Sequence, residues 1–451
     1  MKNSENRSLF YRVSHFLTQN LRWLSPGIGV KRWFILTLMG TTLIGVGLGI
    51  VLLHIYRTAP ETWWLPILST ASLRFLSRPL RAVIFVGIGL AMILGGIYGM
   101  NHSLMKPFMR PGRKVVDELT QHRKLEKGPH VVAIGGGHGL ATLLRGLKEY
   151  TYNVTAIVTV ADDGGSSGKL RRGFGVLPPG DLRNCLAALS DDEALLAQLF
   201  QYRFPDSPTG LDGHSFGNLF ITALADIMGS FEEAVAESGR VLGVKGRVVP
   251  STINNVNLVA EVKIPVIEAD VRIEGESKIP KSNGRVKRVY LQPEAPPAFP
   301  EAIKAILNAD LIVIGPGSLY TSILPNLLVP DITQAVRSSK AIKVYVCNIA
   351  TQKGETDHYT CGDHIRALED HVGEGIFDVV VVNRHPHYFK VGHKIEWVEV
   401  EHNLQNHYRI IQEKLFDEMN PTRHDSNRLA KFLMDILNNP EKWVIKDTSR
   451  L

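Results

Sequence analysis

The chain has 451 residues, 44% hydrophobic and 21% charged, with 24 Pro, 40 Gly and only 3 Cys. That length suits two or three domains of roughly 150 residues each. The composition excludes a disordered, collagen-like or disulfide-stapled chain, because the apolar share can fill a core and three cysteines make no framework. Cys185, Cys347 and Cys361 are far apart, and no Cys-x-x-Cys pair offers zinc a clamp, so a reducing compartment is expected. The net charge of +7 is unevenly spread: residues 1–127 carry 17 Lys/Arg against 5 Asp/Glu, and the remainder 34 against 39. The basic character therefore belongs to the N-terminal region rather than to a binding face, and nucleic acid is not an expected partner.

Trp33–Tyr56 (WFILTLMGTTLIGVGLGIVLLHIY) is a run without formal charge. As a helix it would be about 36 Å long, enough for a hydrocarbon core of roughly 30 Å. Ala82–Met100 is a second uncharged run, and Gly45, Gly47, Gly49, Gly87 and Gly89 would let two such helices approach closely. Lys2, Arg7, Arg12, Arg22, Lys31 and Arg32 precede the first run; Lys106, Arg110, Arg113 and Lys114 follow the second. This bias predicts a two-span hairpin in the cytoplasmic membrane with the N-terminus and the bulk of the chain cytoplasmic. The expected organisation is residues 1–105 with spans at 33–56 and 82–100, a linker at 106–128, and a ligand-binding domain at 129–451.

From His130 the texture changes. Apolar runs at 130–134, 153–160, 309–314, 342–346 and 377–382 each end in a glycine-rich or polar turn, and helical patterns follow. Near-continuous Val/Ile runs of this kind predict an α/β fold with a mainly parallel, doubly wound sheet covered on both faces. Val271–Ile273 and Lys278–Leu291 alternate around Ser282-Asn283-Gly284, the pattern of a β-hairpin excursion. Arg428–Leu437 reads as an amphipathic tail helix.

Open parallel sheets bind ligands beyond the carboxyl ends of their strands, where helix N-termini present backbone N–H groups to anions. Three glycine-bearing turns fall there: Gly135–Gly139, Asp162–Gly168 and Gly315–Ser318. A dinucleotide G-x-G-x-x-G would need glycine where Leu140 stands, and a Walker A loop would need glycine at Asp163 and Ser/Thr at Leu170. Hydride transfer and ATP hydrolysis are both disfavoured. Asp162 and Asp163 leave a strand on different faces; either holds Mg²⁺ or a ribose hydroxyl, or both simply make an Asp-Gly turn. Asp181 reads as an N-cap, with Arg183 and Asn184 in the turn behind it pointing toward the same crevice. Ser215 reads as another cap, and Asn218 as an amide able to read a base or hydroxyl. The histidines at 358, 364, 371, 385 and 387 lack metal-ligand spacing and read as surface or capping residues.

GGGHGL (135–140), VTVADDGGSSGKLR (158–171), PPGDLRN (178–184), GHSFGN (213–218), GPGSLYTSI (315–323) and RHD (423–425), in this order, resemble the YvcK family of gluconeogenesis factors, itself related to the CofD group of 2-phospho-L-lactate transferases. The resemblance implies a Rossmann-like fold that binds a UDP-sugar, UDP-N-acetylglucosamine being the example. It also implies a regulatory role in carbon metabolism and cell-wall morphogenesis during gluconeogenic growth. By matching, Gly136, Gly137 and His138 would lie by the diphosphate or sugar, and Asp162, Asn218, Gly317, Ser318 and Arg423 would line the rest of the crevice. No catalytic residue and no obligatory cofactor are expected. The alternative is a CofD-like transferase in which Asp162 or Asp163 holds Mg²⁺. Lipid through the N-terminal spans and protein partners in cell-wall synthesis complete the expectation, and self-association stays open.

Overall fold

The computed structural model describes residues 39, 41–43, 45, 48–49, 76–105, 123–190, 194–205, 210–264, 269–282, 284–384, 395–401 and 409–443. The chain divides into two compact units, Met1–Arg123 and Lys124–Leu451. In the first, helix α1 spans Arg78–Met105, so the apolar run 82–100 is helical. Among the described residues, however, no helix is long and apolar enough to cross a membrane. The expected two-span hairpin is therefore not found there, and most of the run 33–56 lies outside the described residues.

The second unit is built on a seven-stranded sheet: β1 (Val131–Gly135), β2 (Val154–Val158), β3 (Arg247–Pro250), β7 (Leu311–Ile314), β8 (Ile342–Val346), β9 (Val379–Asn383) and β10 (Arg409–Glu413). The strand order is β10-β9-β8-β7-β1-β2-β3, and every pairing is parallel. Strands β1, β7 and β9 are buried along their whole length, which is why they are written in Val, Ile and Leu without polar alternation. From β1 the chain winds outward through β2 to β3, then returns to β7 on the other side and winds away. The order reverses between β1 and β7, the topological switch point of an open α/β sheet. The Rossmann-like class read from the sequence is the observed one.

Helices α2 (Gly137–Leu147), α3 (Gly165–Phe174), α4 (Gly180–Leu189), α5 (Phe216–Met228), α6 (Phe231–Val241), α7 (Pro330–Ser338), α8 (Cys361–Val372) and α9 (Ser426–Asn438) cover the sheet. Helix α2 packs between α4 and α9 and inserts Leu140, Leu143, Leu144 and Leu147, all at 0% exposure. The cap read from sequence at Ser215 is present, its Oγ accepting from the Asn218 N–H; at α9 the Arg428 N–H likewise donates to Asp425 Oδ1 at 2.8 Å. Asp181 is not a cap, because α4 starts one residue earlier behind Pro179.

The antiparallel excursion differs from the expected hairpin. Strands β5 (Ala269–Glu274) and β6 (Arg285–Gln292) do not pair with each other; both flank β4 (Asn257–Ile264). The link from β5 to β6 is a 3₁₀ turn, Glu276–Lys281, in place of a two-residue turn at Asn283-Gly284, and Asn283 lies outside the described residues. The strand passed over, β4, buries Leu258, Val259, Ala260 and Val262 completely and anchors both neighbours. The histidines divide likewise. His364 is fully buried, and His371 accepts from the Val289 N–H at 2.9 Å, joining α8 to the excursion; His358, exposed, pairs with Glu396; 385 and 387 lie outside the described residues.

Leu144→Ala tests the α2 packing. Loss of this enclosed side chain is expected to destabilise the unit by about 2–5 kcal/mol, read as a lowered midpoint of denaturant unfolding with an unchanged slope.

Candidate functional site

At the switch point the turns after β1 and β7 meet. Gly137 holds φ +63°, a left-handed conformation that lets α2 begin immediately after the strand. Two residues on, a Cβ at Gly139 would stand 2.6 Å from the Pro316 carbonyl oxygen, so only glycine allows the two backbones to lie together. Around this junction opens a cavity of 870 Å³. Its rim is completed by the turn after β8 and by the segment leading into α9.

Seven sequence-predicted residues line this cavity: Gly136, Gly137, His138, Asp162, Gly317, Ser318 and Arg423. Four do not. Asp163 lies beside it, accepting from the Ser277 N–H at 2.9 Å. Arg183 is buried behind the wall, where its Nη2 donates to Asn184 Oδ1 at 2.7 Å. Burial, with Arg203 nearby, brings the Arg183 guanidinium down to about 10 against the opposing pull of Asp181 and Asp162. Asn218 is spent in an interior chain: its Nδ2 donates to Ser166 Oγ at 3.0 Å, and Ser166 Oγ lies 3.1 Å from His214 Nδ1.

The cavity is electrically divided. His138 has a lowered pKa, first through burial and then through Arg423, Arg183 and Arg145, so its imidazole is neutral at neutral pH. Arg423 and Lys353 supply cationic groups to the lining. Asp162, Asp181 and Glu276 supply acidic groups to the same lining. Asp162 is raised by burial, although the Gly164 N–H (2.8 Å) and the Ser167 hydroxyl hold part of its charge. Asp181 accepts from the Gly137 N–H, yet burial and the nearby Asp162 push it up to about 6. Glu276, delivered by the 3₁₀ turn of the excursion, is pushed up to about 8 by burial and by Asp162, Asp181, Glu355 and Asp163. At neutral pH Glu276 is protonated, and the acidic wall carries less charge than its carboxyl count suggests.

Asp162, Asp163 and Glu276 each offer an oxygen, and these atoms lie within 4.8 Å of one another. Such a set of hard oxygen donors fits Mg²⁺ or another hard divalent cation. Sequence reasoning supplied the two aspartates; Glu276 comes from a separate sheet and carries no local signal.

Other lining residues were also missed. Asp181 read as an ordinary cap, and the sequence offered no signal at Asn348–Lys353, although both face the cavity. His424 sits beside Arg423 and is driven down to about 4 by burial.

A parallel sheet with paired glycine turns and a polar cavity at its switch point is the architecture of the open, Rossmann-like α/β class. Residues 131–416 match the family described as 2-phospho-L-lactate transferase CofD, which is more than half of the chain. The chain is 47% identical over 317 residues to the gluconeogenesis factor of Bacillus subtilis, a match covering 68% of this chain and 98% of that one. It is 50% identical over 383 residues to a relative from Nostoc sp., covering 83% and 81% of the two chains. The crystal structure of a UPF0052-family protein from Bacillus halodurans aligns with a TM-score of 0.64 at 45% identity, covering 68% of this chain and 99% of that one. The chain belongs to the CofD family, in the branch of the YvcK gluconeogenesis factors.

The acidic wall sets a pH dependence. Glu276 has a folded-state pKa of about 8 against the ordinary glutamate value of 4.5. Its stabilising contribution is thus complete below about pH 4.5 and is lost as pH rises through about 8. Glu276→Gln does not titrate, so its Tm relative to the parent is expected to climb steadily from pH 5 to pH 8.

Proposed function

We propose that this chain is a regulatory protein that binds a UDP-sugar of the UDP-N-acetylglucosamine type and conveys its level to carbon metabolism and cell-wall morphogenesis during gluconeogenic growth. The observation that carries this reading is the junction of the two glycine turns beneath one cavity, with Arg423 at its rim. A guanidinium binds phosphate oxygens in two-point fashion, and a neutral His138 adds a donor without a second fixed charge. The raised pKa values among the lining carboxyl groups support the same reading. A protonated Glu276 does not repel a diphosphate, and carboxyl groups hydrogen-bond sugar hydroxyls well. The names carried by the curated relatives support the metabolic side.

A second reading, transfer of a phospho-acid group from a nucleotide-activated donor to an acceptor hydroxyl, is favoured by one observation, the oxygen cluster of Asp162, Asp163 and Glu276. Those residues would hold Mg²⁺, which supplies charge neutralisation for a leaving diphosphate. It also agrees with the description of the matched family.

The N-terminal unit adds a location. We place the protein at the cytoplasmic membrane, with the ligand-binding unit in the cytoplasm near the machinery that assembles wall precursors. Support comes from the uncharged runs 33–56 and 82–100 and from Val83, Val86 and Met92, about 70% exposed along α1. Release of the full chain from membranes by salt or carbonate washing would remove this part of the proposal.

Calorimetric titration of the full chain with UDP-N-acetylglucosamine, GDP, ATP and NAD is expected to give binding to the UDP-sugar alone and no turnover. Arg423→Ala is expected to weaken that binding by about tenfold or more, the worth of a charge-assisted pair. Nucleotide release on adding a phospho-acid acceptor with Mg²⁺ would favour the transferase reading instead.

A further inference from the structure

In each glycine turn at the switch point one backbone amide is already engaged by a side chain. On the β1 side, the Gly137 N–H donates to the Asp181 carboxylate. On the β7 side, the Gly317 N–H donates to Asn348 Oδ1 at 3.3 Å, and Gln352 Nε2 donates to Ser318 Oγ at 2.9 Å. The two carboxamides are themselves joined, Asn348 Nδ2 to Gln352 Oε1, at 3.4 Å. The groups best suited to a phosphate are therefore held by side chains of the protein, one a carboxylate and two neutral amides.

The backbone carrying Asn348 and Gln352 is pinned. The Val398 N–H donates to Ile349 O at 3.1 Å, and the Thr351 N–H to Glu396 O at 2.9 Å. The Gln352 N–H donates to Thr356 Oγ1 at 2.9 Å, and the Thr356 N–H returns a bond to Gln352 O at 2.9 Å. Thr321 Oγ1 donates to the buried Glu355 carboxylate at 3.0 Å, tying the strap to the turn after β7. Both carboxamides lie on the cavity wall and are partly exposed. A fixed main chain with rotatable amide ends can change partners at the cost of side-chain torsions alone.

We propose that Asn348 and Gln352 are the specificity-determining residues of this cavity: their carboxamides stand in for a phosphoanhydride at Gly317 and Ser318, and an incoming diphosphate takes that place while receiving the two amide N–H groups. This inference rests on the reading of the cavity as a diphosphate site and adds where the anion sits in it. The β7 side admits the anion because neutral amides yield to it without charge repulsion. The β1 side resists it, because Asp181 and Asp162 stand there, and faces the sugar or another polyhydroxyl group.

The test uses Asn348→Asp and Gln352→Glu, isosteric changes that replace a donor with negative charge. Dissociation constants of the full chain are measured for UDP-N-acetylglucosamine, UMP and inorganic pyrophosphate, with Tm as the control for folding. Each variant is expected to lose about tenfold or more in affinity for UDP-N-acetylglucosamine and pyrophosphate, as for a lost hydrogen bond to a charged group, and no more than about threefold for UMP. Equal losses for all three probes, or none, overturn the assignment. Should the parent bind pyrophosphate but not the UDP-sugar, the nucleotide-sugar reading fails while the pyrophosphate arm still decides on Asn348 and Gln352. A parent that binds neither overturns both. If a charged variant fails to fold, Asn348→Ala and Gln352→Ala are expected to show the same selectivity loss at lower amplitude.

Discussion

The pairing of β1 with β7 is the constraint on which the rest of the molecule depends. It brings together two turns separated by most of the domain sequence, and Gly139 against Pro316 sets how closely their backbones approach. Because the sheet reverses its winding there, the helices after β1 and β7 leave on diverging courses and a crevice opens between them. The cavity follows from topology, and its chemistry from what the other elements carry to that place. The turn after β2 brings Asp162, the start of α4 brings Asp181, the strap after β8 brings two carboxamides, and the entry to α9 brings Arg423.

The antiparallel excursion has a role that its position in the chain does not announce. Its three strands add a small sheet, and its 3₁₀ turn lays Glu276 and Ser277 against Asp162 and Asp163. Burial and mutual repulsion among these carboxyl groups leave Glu276 protonated and Asp181 close to its midpoint near neutrality. One wall can thus serve two ligand chemistries: hydroxyl recognition when protonated, and cation binding when a divalent ion compensates the charge. The two proposed functions would therefore be neighbouring uses of one arrangement.

The parallel sheet was legible because its central strands are buried on both faces and so are written as uninterrupted Val/Ile runs. Segments 130–134 and 342–346 were placed within a residue of the observed strands. What escaped notice was short or differently exposed. β3 and β10 are brief edge strands with charged ends, and β4 alternates too irregularly beside a conspicuous Asn-Gly pair that drew the hairpin elsewhere. The site divides along a similar line. Glycine turns are visible in sequence because glycine has few reasons to cluster. Asp181, Glu276, Asn348 and Gln352 have ordinary local explanations as cap, turn or loop residues, and only tertiary placement gives them a second one. Asn218 and Arg183 show the converse, since conspicuous motif residues turned out to bond protein partners away from the cavity.

On the proposed reading one ligand lies across the turns after β1 and β7, with its diphosphate at the β7 side and its sugar at the β1 side. Amide hydrogen exchange of the full chain, with and without UDP-N-acetylglucosamine, tests it most directly. The account predicts that residues 135–139 and 315–318 become protected in concert at the same ligand concentration, with the strap 348–353 changing alongside them. Protection confined to one turn, or appearing only on surfaces away from the switch point, would contradict it.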